Sequence, residues 1–145
     1  MREVIFMISK SYSTTTNEVS KEQLWKVMSN INDWKKWDDT VEFSELQGDF
    51  KTSSTFILKP KGGPMVKIKL MEVKPFTYFK DCTSFPLAKM YGEHWYEETP
   101  QGVKITITMT ITGILAFLWY KIVMKGIVEH LPEDAKNQIK ASRKL

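Results

Sequence analysis

The stretch VKITITMTITG, residues 103–113, followed by ILAFLWYKIVMKGIVEHL, residues 114–131, decides the fold. In the first part Val103, Ile105, Ile107, Met109 and Ile111 alternate with Lys104, Thr106, Thr108, Thr110 and Thr112, the period of a strand with one face buried and one wet. Past Gly113 the period changes. Ile114, Leu115, Phe117, Leu118, Ile122, Val123, Ile127 and Leu131 recur at helical spacing, while Lys121, Lys125 and Glu129 repeat along a different stripe. A hydropathy window over Ile105 to Met124 approaches the length of a membrane span, but the change of period at Gly113 reads as a strand and then an amphipathic helix.

Working outward from this unit, Val41 to Leu46, Thr52 to Lys59, Val66 to Val73, Phe76 to Thr83 and Lys89 to Glu97 read as short strands. The turns between strands, Gln47-Gly48-Asp49, Gly62-Gly63-Pro64, Lys74-Pro75 and Pro100-Gln101-Gly102, are short and rich in turn formers, which predicts an antiparallel meander. Glu3 to Tyr12 reads as an opening strand and Thr14 to Asn17 as a turn. A helix begins behind Ser20, where Gln23 completes a capping box and Val19 and Leu24 stand at the positions of a hydrophobic staple. Leu24, Val27, Met28 and Ile31 form its apolar face, and a tryptophan-rich turn from Asn32 to Trp37 follows. Pro132 is expected to kink or restart the last helix, and Lys136, Lys140, Arg143 and Lys144 offset the dipole at its end.

A chain of 145 residues with 42% hydrophobic content builds one core, so a single domain over residues 1–145 is expected. Its 26% charged and 12% aromatic content excludes a disordered segment. A net charge of +4 favours solubility or weak attraction to anionic surfaces over a nucleic-acid role. Cys82 is the single cysteine, so the chain forms no internal disulfide and no cysteine-based metal site. The Gly62-Gly63 pair lacks the pattern of a phosphate loop, and no spaced set of His, Cys, Asp and Glu suggests a metal, so no cofactor is expected. Met1 to Lys10 lacks the long apolar core and cleavage site of a secretory signal, and a cytoplasmic location is expected.

Several local sequences together resemble the helix-grip fold of the START-related superfamily, which includes lipid-transfer domains, the birch pollen allergen family and polyketide cyclase-like proteins. They are Ser20-Lys21-Glu22-Gln23-Leu24-Trp25 leading to Trp34 and Trp37, the Glu72-Val73-Lys74-Pro75 corner, Gly92-Glu93-His94-Trp95-Tyr96 closing on Gly102, and Gly113 opening the last helix. The resemblance covers nearly the whole chain. It implies an α+β protein: a seven-stranded curved antiparallel sheet wrapped around a long C-terminal helix, with two short helices after the first strand. A cavity between sheet and helix would hold a small hydrophobic ligand such as a lipid, an isoprenoid or an aromatic polyketide-like molecule. Two alternatives stay open: a polyketide cyclase or aromatase-like enzyme using the same cavity, and a protein-interaction module like the co-chaperones that share the fold.

The candidate site residues follow from this frame. If Glu98 lies opposite Val103, then Gly92, His94 and Tyr96 share the inner face with Ile105 and Ile107, and Glu97 meets Lys104 outside. His94, Tyr96 and Asp81 are the candidates for handling protons. Their ordinary readings are a hydrogen-bonded structural histidine and a surface aspartate. Asp81 and Cys82 are adjacent on a strand, so one of them faces inward, and Cys82 reads as a small buried hydrophobe. Trp25, Met28, Trp37 and Met109 are expected to touch a ligand, with Phe56, Leu58, Ile68, Leu70, Phe79 and Ile107 from the strands and Leu118 and Ile122 from the helix. Lys59, Lys61, Lys67 and Lys69 form a basic edge suited to a weak contact with an anionic membrane or an acidic protein. The sequence leaves the oligomeric state open.

Overall fold

The computed structural model describes residues 6–145. The first strand, β1, runs Phe6–Thr16, and its expected start at Glu3 lies outside the described residues. It is followed by α1 (Lys21–Ser29) and a 3-10 helix (Ile31–Lys36). Six further strands follow: β2 (Val41–Gln47), β3 (Thr55–Pro60), β4 (Val66–Lys74), β5 (Tyr78–Phe85), β6 (Ala88–Thr99) and β7 (Gly102–Gly113). The chain ends in a helix of three parts, α2 (Ala116–Trp119), a π turn (Tyr120–Met124) and α3 (Lys125–Arg143). Among the described residues, no helix is long and apolar enough to cross a membrane.

The strands form one antiparallel sheet in the order β1-β7-β6-β5-β4-β3-β2, so the first strand closes on the last. Glu98 lies opposite Val103 and Glu97 opposite Lys104, as the sequence implies, and this register fixes which residues face the core. On the inner face Ile105, Ile107 and Ile111 are fully buried. On the outer face the alternating hydroxyls zip together across β1 and β7: Ser9 with Thr110, Ser11 with Thr108 and Ser13 with Thr106, at 3.1, 2.6 and 3.0 Å. The sheet bends at bulges between Val41 and Phe43 and between Leu70 and Glu72, the second just ahead of the Glu72-Val73-Lys74-Pro75 corner.

The capping box at α1 forms in both directions. The Ser20 hydroxyl accepts from the Gln23 amide at 3.2 Å, and the Ser20 amide donates to the Gln23 side chain at 2.8 Å. This start aims Leu24, Trp25 and Met28 into the core, where Trp25 meets Phe50, Phe79 and Tyr96 edge-on at 5.6, 6.1 and 6.1 Å. Strand boundaries move where the turn needs an unusual backbone. β3 begins at Thr55 because Ser53 adopts a positive φ, and β5 begins at Tyr78 because Phe76 does the same.

The C-terminal helix differs from its expected form in two ways. It continues through Pro132, an exposed position where a freed carbonyl can turn to water, and its irregularity sits upstream in the π turn. Its buried face also differs. Ala116, Met124, Leu131, Ala135, Gln138 and Ser142 point inward, whereas Leu118 and Ile122, expected inside, are 47% and 61% exposed. The segment 114–124 is apolar almost all round, so its pattern does not choose a face, and the small Ala116 is what permits close approach to the sheet.

Gly113 marks the strand-to-helix corner. Its φ is +126°, and a Cβ there would lie 2.5 Å from the Leu87 carbonyl oxygen and 2.8 Å from the Ala88 Cα. Gly126, in α3, has open space around it. Urea denaturation should therefore show Gly113→Ala destabilised by about 2 kcal/mol or more, because strain and backbone overlap add. Gly126→Ala should gain up to about 1 kcal/mol from helix propensity alone.

Candidate functional site

The inner face of β5, β6 and β7 carries the polar groups that the apolar interior does not explain. His94 stands opposite Phe79 and Ile107 and stacks flat on the Phe79 ring, with centroids 4.2 Å apart and planes 9° apart. It is 9% exposed, and its Nδ1 has no hydrogen-bond partner. Burial among these rings lowers its pKa to about 4, so the imidazole is neutral near pH 7.

Asp81 lies opposite Gly92, and its carboxylate fills the room that a side chain on Gly92 would take: a Cβ there would be 2.9 Å from Oδ1. Asp81 therefore faces inward and is not the surface carboxylate of its ordinary reading. Loss of water raises its pKa to about 7, opposed by the hydrogen bond it accepts from the Gly92 backbone. Cys82 takes the other face and is buried there, as expected of a small hydrophobe, and that burial pushes its thiol pKa upward. His94 and Asp81 do not form a pair. His94 sits opposite Phe79 and not opposite Asp81, no hydrogen bond joins them, and neither alters the other's charge state.

Tyr96 is 1% exposed and its hydroxyl has no partner. Burial raises its pKa, with the carboxylate of Asp134 adding to the effect. Asp134, on α3, has its own pKa raised to about 7, first by burial and then by Asp38. It accepts a hydrogen bond of 3.3 Å from the Gln138 amide, whose Oε1 is itself buried and unpartnered. Asp134 and Gln138 thus form a second polar pair, on the helix, and the charge of Asp134 reaches Tyr96 on β6. Asp134 and Gln138 were not among the residues singled out from the sequence. The signal for Gln138 is its place on the stripe of Leu131, Ala135, Gln138 and Ser142, a helical face that buries a polar side chain.

The fold also gathers Asp38, Asp39 and His130, with one candidate ligand atom of each within 4.8 Å of the others. These are groups that could hold a cation, and His130 lies too far from the adjacent Asp38 and Asp39 in sequence for the three to read as a metal motif.

The residues expected to line a ligand site fall into three groups. Trp25, Met28, Phe56, Ile68, Leu70, Phe79, Ile107 and Met109 are buried with His94 and Tyr96, whereas Leu58 and Trp37 are partly buried. Trp37 also borders an open groove of about 370 Å³ between α1 and the end of α3, with Val27, Ala141 and Leu145. Leu118 and Ile122 face out. Of the expected basic edge, Lys59 is tied to Glu42, while Lys61, Lys67 and Lys69 are exposed.

A curved antiparallel sheet that closes around a long C-terminal helix, with two short helices after the first strand, is the helix-grip fold, and this chain adopts it. No protein-family model matches the chain, and no curated protein matches it in sequence. Solved structures do match. The crystal structure of Ara h 8.0201 is 15% identical, with 97% of each chain covered and a TM-score of 0.64. The di-domain ARO/CYC protein StfQ from the steffimycin biosynthetic pathway is 10% identical, with a TM-score of 0.72 over 95% of this chain and 50% of that one, so this chain spans half of that protein. Norcoclaurine synthase from Thalictrum flavum, solved with dopamine and hydroxybenzaldehyde, is 15% identical, with a TM-score of 0.65 over 97% of this chain and 86% of that one.

The buried carboxyl of Asp81 makes stability depend on pH. Its folded pKa of about 7 lies above the ordinary 3.8, so its contribution to stability falls as pH rises between those values. Asp134 acts with the same sign, and His94, lowered from 6.5 to about 4, acts with the opposite sign over that interval. Asp81→Asn keeps the bond from Gly92 and removes the first contribution alone. Compared by urea denaturation at about pH 4 and about pH 8, the variant should gain on the wild type at the higher pH, and an equal difference at both would place Asp81 in contact with bulk water.

Proposed function

We propose that the chain binds a small, largely apolar molecule between the inner face of its sheet and its C-terminal helix. The observation that carries this reading is the set of orphaned polar atoms inside: His94 Nδ1, Tyr96 Oη and Gln138 Oε1, each buried without a partner. A buried polar group left unpaired costs about 1–3 kcal/mol, so such atoms on the sheet and on the helix weaken folding and call for a purpose. A guest with an apolar body and one or two polar groups supplies it. The rings and aliphatic chains of Phe79, Met109 and Ile107 would surround the body, and Tyr96 and Gln138 together would suit a group that both donates and accepts, such as a hydroxyl.

Two of the structural relatives support this reading by analogy, since one was solved in complex with dopamine and hydroxybenzaldehyde and the other is an ARO/CYC protein of a biosynthetic pathway. An enzyme of the cyclase type is the second reading. It is favoured by Asp134, whose pKa near 7 beside the Tyr96 hydroxyl suits proton transfer. The separation of His94 from Asp81 argues against an acid/base dyad on the strands, and binding remains the better-supported function.

Native mass spectrometry of the purified protein, with extraction of what co-purifies, should reveal one small molecule per chain. Tyr96→Phe then separates a binding role from a structural one. Removing an unpartnered hydroxyl should leave thermal stability unchanged or raised, whereas affinity for a hydroxyl-bearing ligand should fall by about 5- to 30-fold, the loss of one hydrogen bond. A drop in stability with no change in affinity would overturn the assignment.

A further inference from the structure

The start of the C-terminal helix presents an apolar surface that packing leaves largely exposed. Ile114, Phe117, Leu118 and Ile122 are 58%, 53%, 47% and 61% exposed, and Leu87 of the β5–β6 turn is 62% exposed. They form one surface. The Leu115 amide donates to the Leu87 carbonyl at 3.1 Å, the Trp119 indole donates to the Pro86 carbonyl at 2.9 Å, and Phe6 meets Phe117 edge-on at 5.1 Å. An exposed apolar patch of this extent marks an interaction site.

The charges around the patch select its occupant. Lys10, Lys89, Lys121 and Lys125 are exposed on the segments that build it. Residues 6–17, 82–92 and 99–128 contain no Asp or Glu, although the chain carries 17 acidic residues against 21 basic ones. A second copy of this chain is disfavoured, because a symmetric face would set lysines against lysines with no carboxylate between them. An anionic lipid surface meets both requirements. Apolar side chains enter the boundary between headgroups and acyl chains, and lysines reach the phosphates along their aliphatic stems.

We propose that the helix start, with the Pro86-Leu87 turn, is a docking face for an anionic lipid bilayer. The face is distinct from the lysine edge of β3 and β4, and the inference stands whatever molecule the interior holds.

Sedimentation with lipid vesicles tests it. The protein should bind vesicles of phosphatidylcholine and phosphatidylglycerol in equal parts about tenfold more tightly than vesicles of phosphatidylcholine alone, and less tightly as salt rises. Phe117→Glu and Ile122→Glu, both at exposed positions, should each weaken binding about tenfold or more, Ile122→Glu with the thermal melt unchanged. Met65→Glu, on the exposed turn between β3 and β4, should bind as the wild type does. Absence of binding to the anionic vesicles, or equal binding by Phe117→Glu, would overturn the proposal. Loss of binding in Met65→Glu would move docking to the lysine edge, and a dimer in solution that Phe117→Glu dissolves would give the patch to self-association.

Discussion

The structure depends first on the pairing of β1 with β7. Partners run from Phe6 with Gly113 to Thr16 with Val103, with no break in register over the length of both strands. The pairing joins the first strand to the last, so the loop-closure entropy of the whole sheet is set against one ladder. Register here is a matter of parity. A slip of one residue would turn Ile105, Ile107 and Ile111 to water and bring Thr106, Thr108 and Thr110 inside, exchanging a dry face for a row of hydroxyls without partners. The hydroxyl zipper on the outer face and the isoleucines on the inner face therefore enforce the same answer.

That parity passes to β6 and from β6 to β5, where it decides the chemistry of the interior. Because Gly92 lies opposite Asp81, the one inner position of β6 without a side chain receives the carboxyl. His94 meets an aromatic ring, and its imidazole loses water without gaining a charged partner. The interior in this way collects ionisable groups whose charged forms burial disfavours: an imidazole with lowered pKa, two carboxyls with raised pKa and a phenol. None of the described lysine or arginine side chains is buried among them. Hydrogen bonding, not charge, is the means such an interior has for recognising a polar group on a guest.

Much of this architecture is legible in the sequence because its signals are local and redundant. The alternation from Val103 to Thr112, the capping box of Ser20 and Gln23, and the glycine at Gly113 each specify an element, and the hairpin turn at Pro100-Gln101 sets the register of His94. Two parts of the site were not legible. Asp134 is an unremarkable polar residue of a helix until the helix is laid over Tyr96, and the pairing of distant elements has no linear trace. The direction of Asp81 followed parity, but its failure to reach His94 depends on the stacking of His94 on Phe79.

The helix start failed to read correctly for a different reason, which bears on its role. An amphipathic helix announces its buried face by contrast, and from Ile114 to Met124 only Lys121 supplies any. Ala116 and Met124 satisfy the sheet and Phe117 meets Phe6, so folding accounts for these residues and leaves Leu118 and Ile122 unexplained. Polar residues at those positions would serve the fold equally well and would lessen the risk of aggregation. A segment apolar on both sides is what a helix requires when one face closes a core and the other meets an apolar phase. The ambiguity in the pattern is then the imprint of two neighbours on one stretch of chain.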